Sequence, residues 1–126
     1  MKPKSISPVF HVRDVDAAVR FYTEALGFTQ SFRFGNYAGL KLGICEIHIC
    51  TPGDYGVRRG GNAYIFCDEV DEYFRKIVSA GAKPTSEPRN HAYGMRDFVI
   101  LDPDGNQLSF GCDIESETGQ GSDPHK

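Results

Sequence analysis

The sequence predicts an α+β fold: two tandem βαβββ modules facing each other around a concave cleft. Two amphipathic helices carry that prediction, opening at Val15-Asp16 and at Val70-Asp71, 55 residues apart. Each follows one apolar strand and precedes a hairpin-rich stretch, Phe32 to Cys50 in the first half and Tyr93 to Phe110 in the second. A period of this length marks a repeated supersecondary unit that must bury its apolar face. The halves span about 6–50 and 61–111, with a turn-rich linker at 51–60, and make one domain over 1–112. Residues 113–126 are expected to form a disordered tail, since Glu115 to Lys126 holds no aliphatic or aromatic residue.

In the first half, Pro8 to Val12 reads as a strand and Asp14 as the N-cap of the first helix. Val15, Ala18, Val19, Tyr22 and Leu26 form one stripe at helical spacing, and Gly27 is the stop. Strands follow near Thr29–Phe34, Ala38–Leu42 and Cys45–Cys50, with Gly43 in the last turn. In the second half, Asn62–Cys67 is a strand, and Val70, Tyr73, Phe74 and Ile77 are the buried stripe of a helix that Gly81 ends. A strand is expected near Lys83–Ser86, then an irregular segment, Glu87 to Gly94, overhanging the cleft. Phe98–Leu101 and Gln107–Phe110 close the sheet around Asp102-Pro103-Asp104-Gly105-Asn106, where Gly105 supplies a positive φ.

Period-two alternation assigns strand faces. Cys45, Ile47 and Ile49 suit a helix-packed face, leaving Glu46, His48 and Cys50 for the cleft. Asn62, Tyr64 and Phe66 take the cleft side of their strand, Ser109 and Gln107 that of the last strand, and Ser7, Val9 and His11 that of the first.

The 126 residues carry 14 basic and 17 acidic side chains, with no basic run that would track a phosphate backbone. Nucleic acid is therefore not an expected partner. No segment reaches membrane-spanning length and the start lacks a signal-like apolar stretch, so no membrane partner and a cytoplasmic location are expected. Cys45, Cys50, Cys67 and Cys112 form no CxxC pair and read as free thiols.

The run Val12-Arg13-Asp14-Val15-Asp16-Ala17-Ala18-Val19-Arg20-Phe21-Tyr22, with Leu26-Gly27-Phe28 behind it, resembles the opening of the glyoxalase/bleomycin-resistance family of the vicinal oxygen chelate superfamily. Tyr93-Gly94-Met95-Arg96-Asp97-Phe98, then Asp102 to Asn106 and Phe110-Gly111, resembles its closing signature. The resemblance runs from about Ser7 to Gly111. It implies an eight-stranded concave sheet with the helices on the convex face, and a homodimer.

Enzymes of that superfamily hold a divalent metal at four cleft positions, which correspond here to Ser7, His48, Asn62 and Ser109. Of these only His48 is a good ligand for such an ion. The resemblance therefore implies the metal-free bleomycin-resistance-like branch: a small-molecule-binding protein that sequesters its ligand unaltered and needs no cofactor. The alternative is a metal-dependent lyase, isomerase or dioxygenase with a rearranged site at His48, Glu46 and His11. A third reading is a degenerate domain whose dimer surface is its working part.

The ligand-binding residues expected are His48, Asn62, Tyr64, Phe66, Ser109, His11, Glu46 and Tyr93. Tyr64 and Phe66 either stack on a flat ligand or fill the cleft themselves. Arg89, His91 and Tyr93 are candidate rim contacts, and Arg58 and Arg59 are a solvated loop or an anion contact. Glu46, Asp97 and Glu87 offer some acidity, too little to single out a cationic glycopeptide. No nucleophile–base pair stands out, so no catalytic residue is named.

Overall fold

The computed structural model of the chain describes residues 1–53 and 60–114. Most of the linker, with Arg58 and Arg59, and residues 115–126 of the expected tail lie outside the described residues. The chain divides into two compact units. One is Met1–Gly61 together with Asp102–Asn106; the other is Asn62–Leu101 together with the chain from Gln107 onward.

In the first unit, β1 (Val9–His11) precedes α1 (Val15–Arg20), and β2 (Thr29–Phe34), β3 (Tyr37–Leu42) and β4 (Cys45–Cys50) follow. The strands order as β1-β4-β3-β2, with β1 parallel to β4 and the other pairs antiparallel. Asp14 caps α1 as its sequence position predicts, Oδ1 accepting from the Ala17 amide at 3.2 Å. The helical path then widens into a π-helical turn, Phe21–Ala25, with Leu26 N–H reaching Phe21 O. The stripe still reaches the core: Val15, Ala18, Tyr22 and Leu26 are buried with Phe10, Leu40, Ile47 and Ile49. Alternation in β4 is as expected, Ile47 and Ile49 buried and Glu46, His48 and Cys50 on the opposite, partly open face.

The second unit repeats the plan. β5 (Asn62–Phe66) precedes α2 (Val70–Ser79), and β6 (Arg89–Asn90), β7 (Met95–Leu101) and β8 (Gln107–Asp113) complete the order β5-β8-β7-β6. α2 packs on β7 and β8, burying Val70 and Ile77 and laying Tyr73 and Phe74 against Phe98 and Phe110. Arg96 on the helix side of β7 clasps Asp71 with two 2.8 Å bonds. β8 continues to Asp113, one residue into the expected tail.

One expectation fails. Residues 83–86 form no strand. Pro84 has no N–H to give to a ladder, and the Thr85 and Ser86 amides both turn to the carbonyl of Val99. The edge strand forms instead at Arg89–Asn90, opposite Asp97 and Arg96. The segment expected to be irregular, Glu87 to Gly94, thus contains a two-residue strand and ends in a turn, with Gly94 N–H on His91 O.

The Asp102–Asn106 turn belongs to the first unit while its flanking strands belong to the second. Asp102 is its centre. Oδ1 accepts from the amides of Asp104 and Asn106, and Oδ2 from the Tyr22 hydroxyl and the Asn106 side chain, all at 2.8–2.9 Å. Asn106 in turn donates to His11 O and accepts from Gly61 N–H.

Candidate functional site

On the face of the second sheet opposite α2, β5, β7 and β8 carry polar and aromatic side chains in register. Tyr64 pairs with Ser109, and Ser109 with Val99; Asn62 pairs with Gln107. Paired positions project to the same side, so Asn62, Tyr64, Asp97, Val99, Gln107 and Ser109 share a floor. Ser86, Arg89, His91 and Tyr93 add a wall, and the open pocket between them has a volume of about 550 Å³. That size suits a small organic ligand.

Asp97 organises the site. Its carboxylate is only 6% exposed, a position that is costly for a charge without partners. Three partners meet it. Oδ2 accepts the Tyr64 hydroxyl at 2.8 Å and the Tyr93 hydroxyl at 2.6 Å, and Oδ1 meets His91 Nε2 at 2.8 Å. The His91 and Tyr93 rings stack at 4.9 Å with 5° between planes, which presents one flat aromatic wall. Desolvation, then the bond to Asp97 and its charge, push the Tyr93 phenol up to about 12. Burial and Asp97 raise Tyr64 in the same direction. Both phenols are therefore protonated at neutral pH, with their protons committed to Asp97 and oxygen lone pairs left for a ligand.

A glycine makes room for this arrangement. Gly111 lies opposite Asp97 in the β7–β8 ladder, and a Cβ there would collide with the Tyr64 ring and touch Asp97 Cβ at 3.0 Å. The first sheet has the same device: Gly39 lies opposite His48, and a Cβ there would meet the Phe32 ring at 2.5 Å.

The first unit holds a separate cluster. His48 Nε2 bonds Glu46 Oε2 at 2.9 Å, and Nδ1 bonds the Tyr37 hydroxyl at 2.8 Å. A ring protonated on Nε2 satisfies both contacts, donating to Glu46 and accepting from Tyr37. Phe32 meets the imidazole edge-on at 5.1 Å. Burial, then the neighbouring Cys50, raises the Tyr37 phenol.

The metal implied by the resemblance does not fit these residues. Ser7, Asn62 and Ser109 bring hydroxyls and an amide, poor substitutes for imidazoles and carboxylates. Both nitrogens of His48 are already engaged by Tyr37 and Glu46. Among the described residues, no three His, Cys, Asp or Glu side chains gather as a metal site.

The eight residues expected to bind ligand fall in both units. Asn62, Tyr64, Tyr93 and Ser109 line one cavity. Phe66 packs against Tyr64 at 4.9 Å but is 73% exposed and not part of the lining. His48 and Glu46 are bonded to each other in the other unit, where His11 on β1 pairs with Cys50 on β4. Asp97 was weighed in sequence only as a source of acidity, although alternation back from Val99 would have put it on the floor.

Residues 7–110 match the model of the Glyoxalase/Bleomycin resistance protein/Dioxygenase superfamily. The bleomycin resistance protein of Geobacillus stearothermophilus is 27% identical over 127 residues, spanning 86% of this chain and 96% of that protein. The bleomycin resistance determinant encoded on the transposon Tn5 superposes with a TM-score of 0.75 at 24% identity, over 88% of this chain and 98% of its own. Lactoylglutathione lyase from Agrobacterium tumefaciens superposes with a TM-score of 0.72 at 22% identity, over 88% and 95%. A resistance determinant and a lyase share this fold, so the fold does not choose between binding and catalysis.

Proposed function

The chain belongs to the Glyoxalase/Bleomycin resistance protein/Dioxygenase superfamily, and on that premise we propose that it is a small-molecule-binding protein of the bleomycin-resistance type. It sequesters its ligand, without a metal and without altering it, in the cavity of the second unit. The observation that carries this reading is the about 550 Å³ space floored by Asn62, Tyr64 and Ser109 and walled by the His91–Tyr93 stack. Its hydrogen-bonding groups are fixed around the buried Asp97 before any ligand enters, so little ordering entropy is lost on binding. His48 is a clasp within its own sheet in this reading, because Tyr37 and Glu46 hold both of its nitrogens.

We propose a cytoplasmic homodimer. The support for a dimer is the exposure of Phe34, Ile44 and Phe66, large apolar side chains that association would cover. Among the described residues no helix is long and apolar enough to cross a membrane. The described cysteines form no disulfide, in keeping with a reducing compartment.

The test is a binding screen by thermal shift and calorimetry. The panel contains metal-free and Cu²⁺-loaded bleomycin together with flat aromatic acids, alcohols and amines. The reading expects at least one compound to bind with and without EDTA, to be recovered unchanged, and to lose affinity at least tenfold on Ser109→Leu. Turnover of the compound, or binding abolished by EDTA and restored by Zn²⁺, Ni²⁺, Fe²⁺ or Mn²⁺, would replace it with the metal-dependent enzyme.

A further inference from the structure

The charges lining the cavity point to a ligand class. Three side chains there are of types that can carry a charge: Arg89, His91 and Asp97. Asp97 is fully engaged, accepting from Tyr64, Tyr93 and His91 within 2.8 Å. Arg89 stands directly opposite Asp97 in the β6–β7 pair, on the same face of the sheet. Opposite charges so placed ordinarily pair. Here the two phenols and the imidazole have taken the carboxylate, and among the described residues the Arg89 guanidinium makes no hydrogen bond or ion pair. An entering molecule therefore meets a carboxylate whose oxygens are already taken by hydrogen bonds and a guanidinium with no side-chain partner among the described residues.

We propose that the ligand of this cavity is a flat aromatic carboxylate, its carboxyl group held by Arg89 and its ring laid against the His91–Tyr93 stack. This rests on the reading of the cavity as the binding site. A guanidinium offers two parallel N–H donors that match a carboxylate in a bidentate pair. The parallel His91–Tyr93 stack offers an outer ring face against which a planar ring can lie. The Tyr64 and Tyr93 oxygens accept from a ring hydroxyl or N–H. A cationic amine fares worse on both counts: it faces Arg89, and it must displace two O–H donors to reach Asp97.

The experiment measures dissociation constants for three probes of equal size and different charge: 2-naphthoate, 2-naphthylmethanol and 2-naphthylmethylamine. Wild-type protein is expected to bind the acid at least tenfold more tightly than the alcohol or the amine. Arg89→Gln is expected to remove that preference while leaving the alcohol's affinity within twofold. Arg89→Lys, which keeps the charge, is expected to retain a preference for acid over amine. Arg89 lies on an exposed edge strand, so both variants are expected to unfold at the wild-type temperature. Equal binding of all three probes, preference for the amine, or an acid preference that survives Arg89→Gln overturns the assignment and leaves the cavity standing as a binding site. Failure of all three to bind also overturns it, and the broader screen then decides the cavity's role on its own.

Discussion

At Gly111 the backbone of β8 passes beneath the Tyr64 ring, and the missing Cβ is what lets the Tyr64 hydroxyl reach Asp97. Gly111→Ala forces Tyr64 aside, and overpacking of this kind costs about 1–3 kcal/mol. Urea denaturation is expected to show that loss, and Tyr64→Phe, which keeps the ring but not the bond, a smaller one. The phenols give the site a pH signature. Tyr64 and Tyr93 are raised above the ordinary 10.0, so both folded and unfolded chains hold these protons below pH 10 and these two groups leave stability unchanged there. Between pH 10 and about 12 the unfolded chain loses protons that the folded chain keeps, and stability falls as pH rises. Urea midpoints from pH 8 to 11 are expected to fall as pH rises, and Tyr64→Phe/Tyr93→Phe to make the fall above pH 10 shallower, the raised Tyr22, Tyr37, Tyr73 and Cys50 supplying the rest. This hub was only partly legible in sequence. Period two places Tyr64 and Ser109 on the open face, but nothing local to residues 64, 91, 93 and 97 announces that three side chains converge on one carboxylate.

The elements differ in how openly the sequence states them. α1 begins where an Asp stands before an apolar stripe, and Asp14→Ala is expected to cost about 1 kcal/mol. α2 begins differently: Glu69 precedes it at φ 51, with no side-chain cap. A left-handed residue other than glycine carries about 1–2 kcal/mol of strain, so Glu69→Gly is expected to leave stability unchanged or raise it by up to about 1 kcal/mol. A measured loss would mean that the Glu69 side chain contributes something its backbone position does not reveal. The Asp102 turn stands at the other extreme. Asp102→Ala strands the Tyr22 hydroxyl and the amides of Asp104 and Asn106, each costing about 1–3 kcal/mol when buried and unsatisfied. Denaturation of that variant is expected to show a loss of at least about 3 kcal/mol. Asp-Pro-Asp-Gly-Asn reads as a turn on composition alone, but its partner Tyr22 lies 80 residues away. The edge strand was misplaced for a similar reason. Lys83–Ser86 and Arg89–Asn90 differ little in propensity, and the choice between them falls to the missing N–H of Pro84 and the pull of Val99 on the Thr85 and Ser86 amides.

For the molecule as a whole, the repeat was the most legible feature, because it recurs as hydrophobic spacing and the two sheets follow the same strand order. The expectation of a missing metal-ligand set rests on residue identity at the four positions that the resemblance supplies. Less legible was how the candidate residues would divide. His48 and Glu46 share a face with His11 by alternation, yet they form a closed clasp with Tyr37 in the first unit. The open cavity is in the second, around Asp97. Amide chemical-shift mapping on uniformly labelled protein, with the tightest-binding compound of the screen, tests this division directly. The account predicts saturable shifts concentrated at residues 62–64, 86–99 and 107–111, unchanged by EDTA and reduced at least tenfold in affinity by Ser109→Leu. Shifts centred instead on Glu46, His48 and His11, and dependent on an added divalent ion, would contradict it.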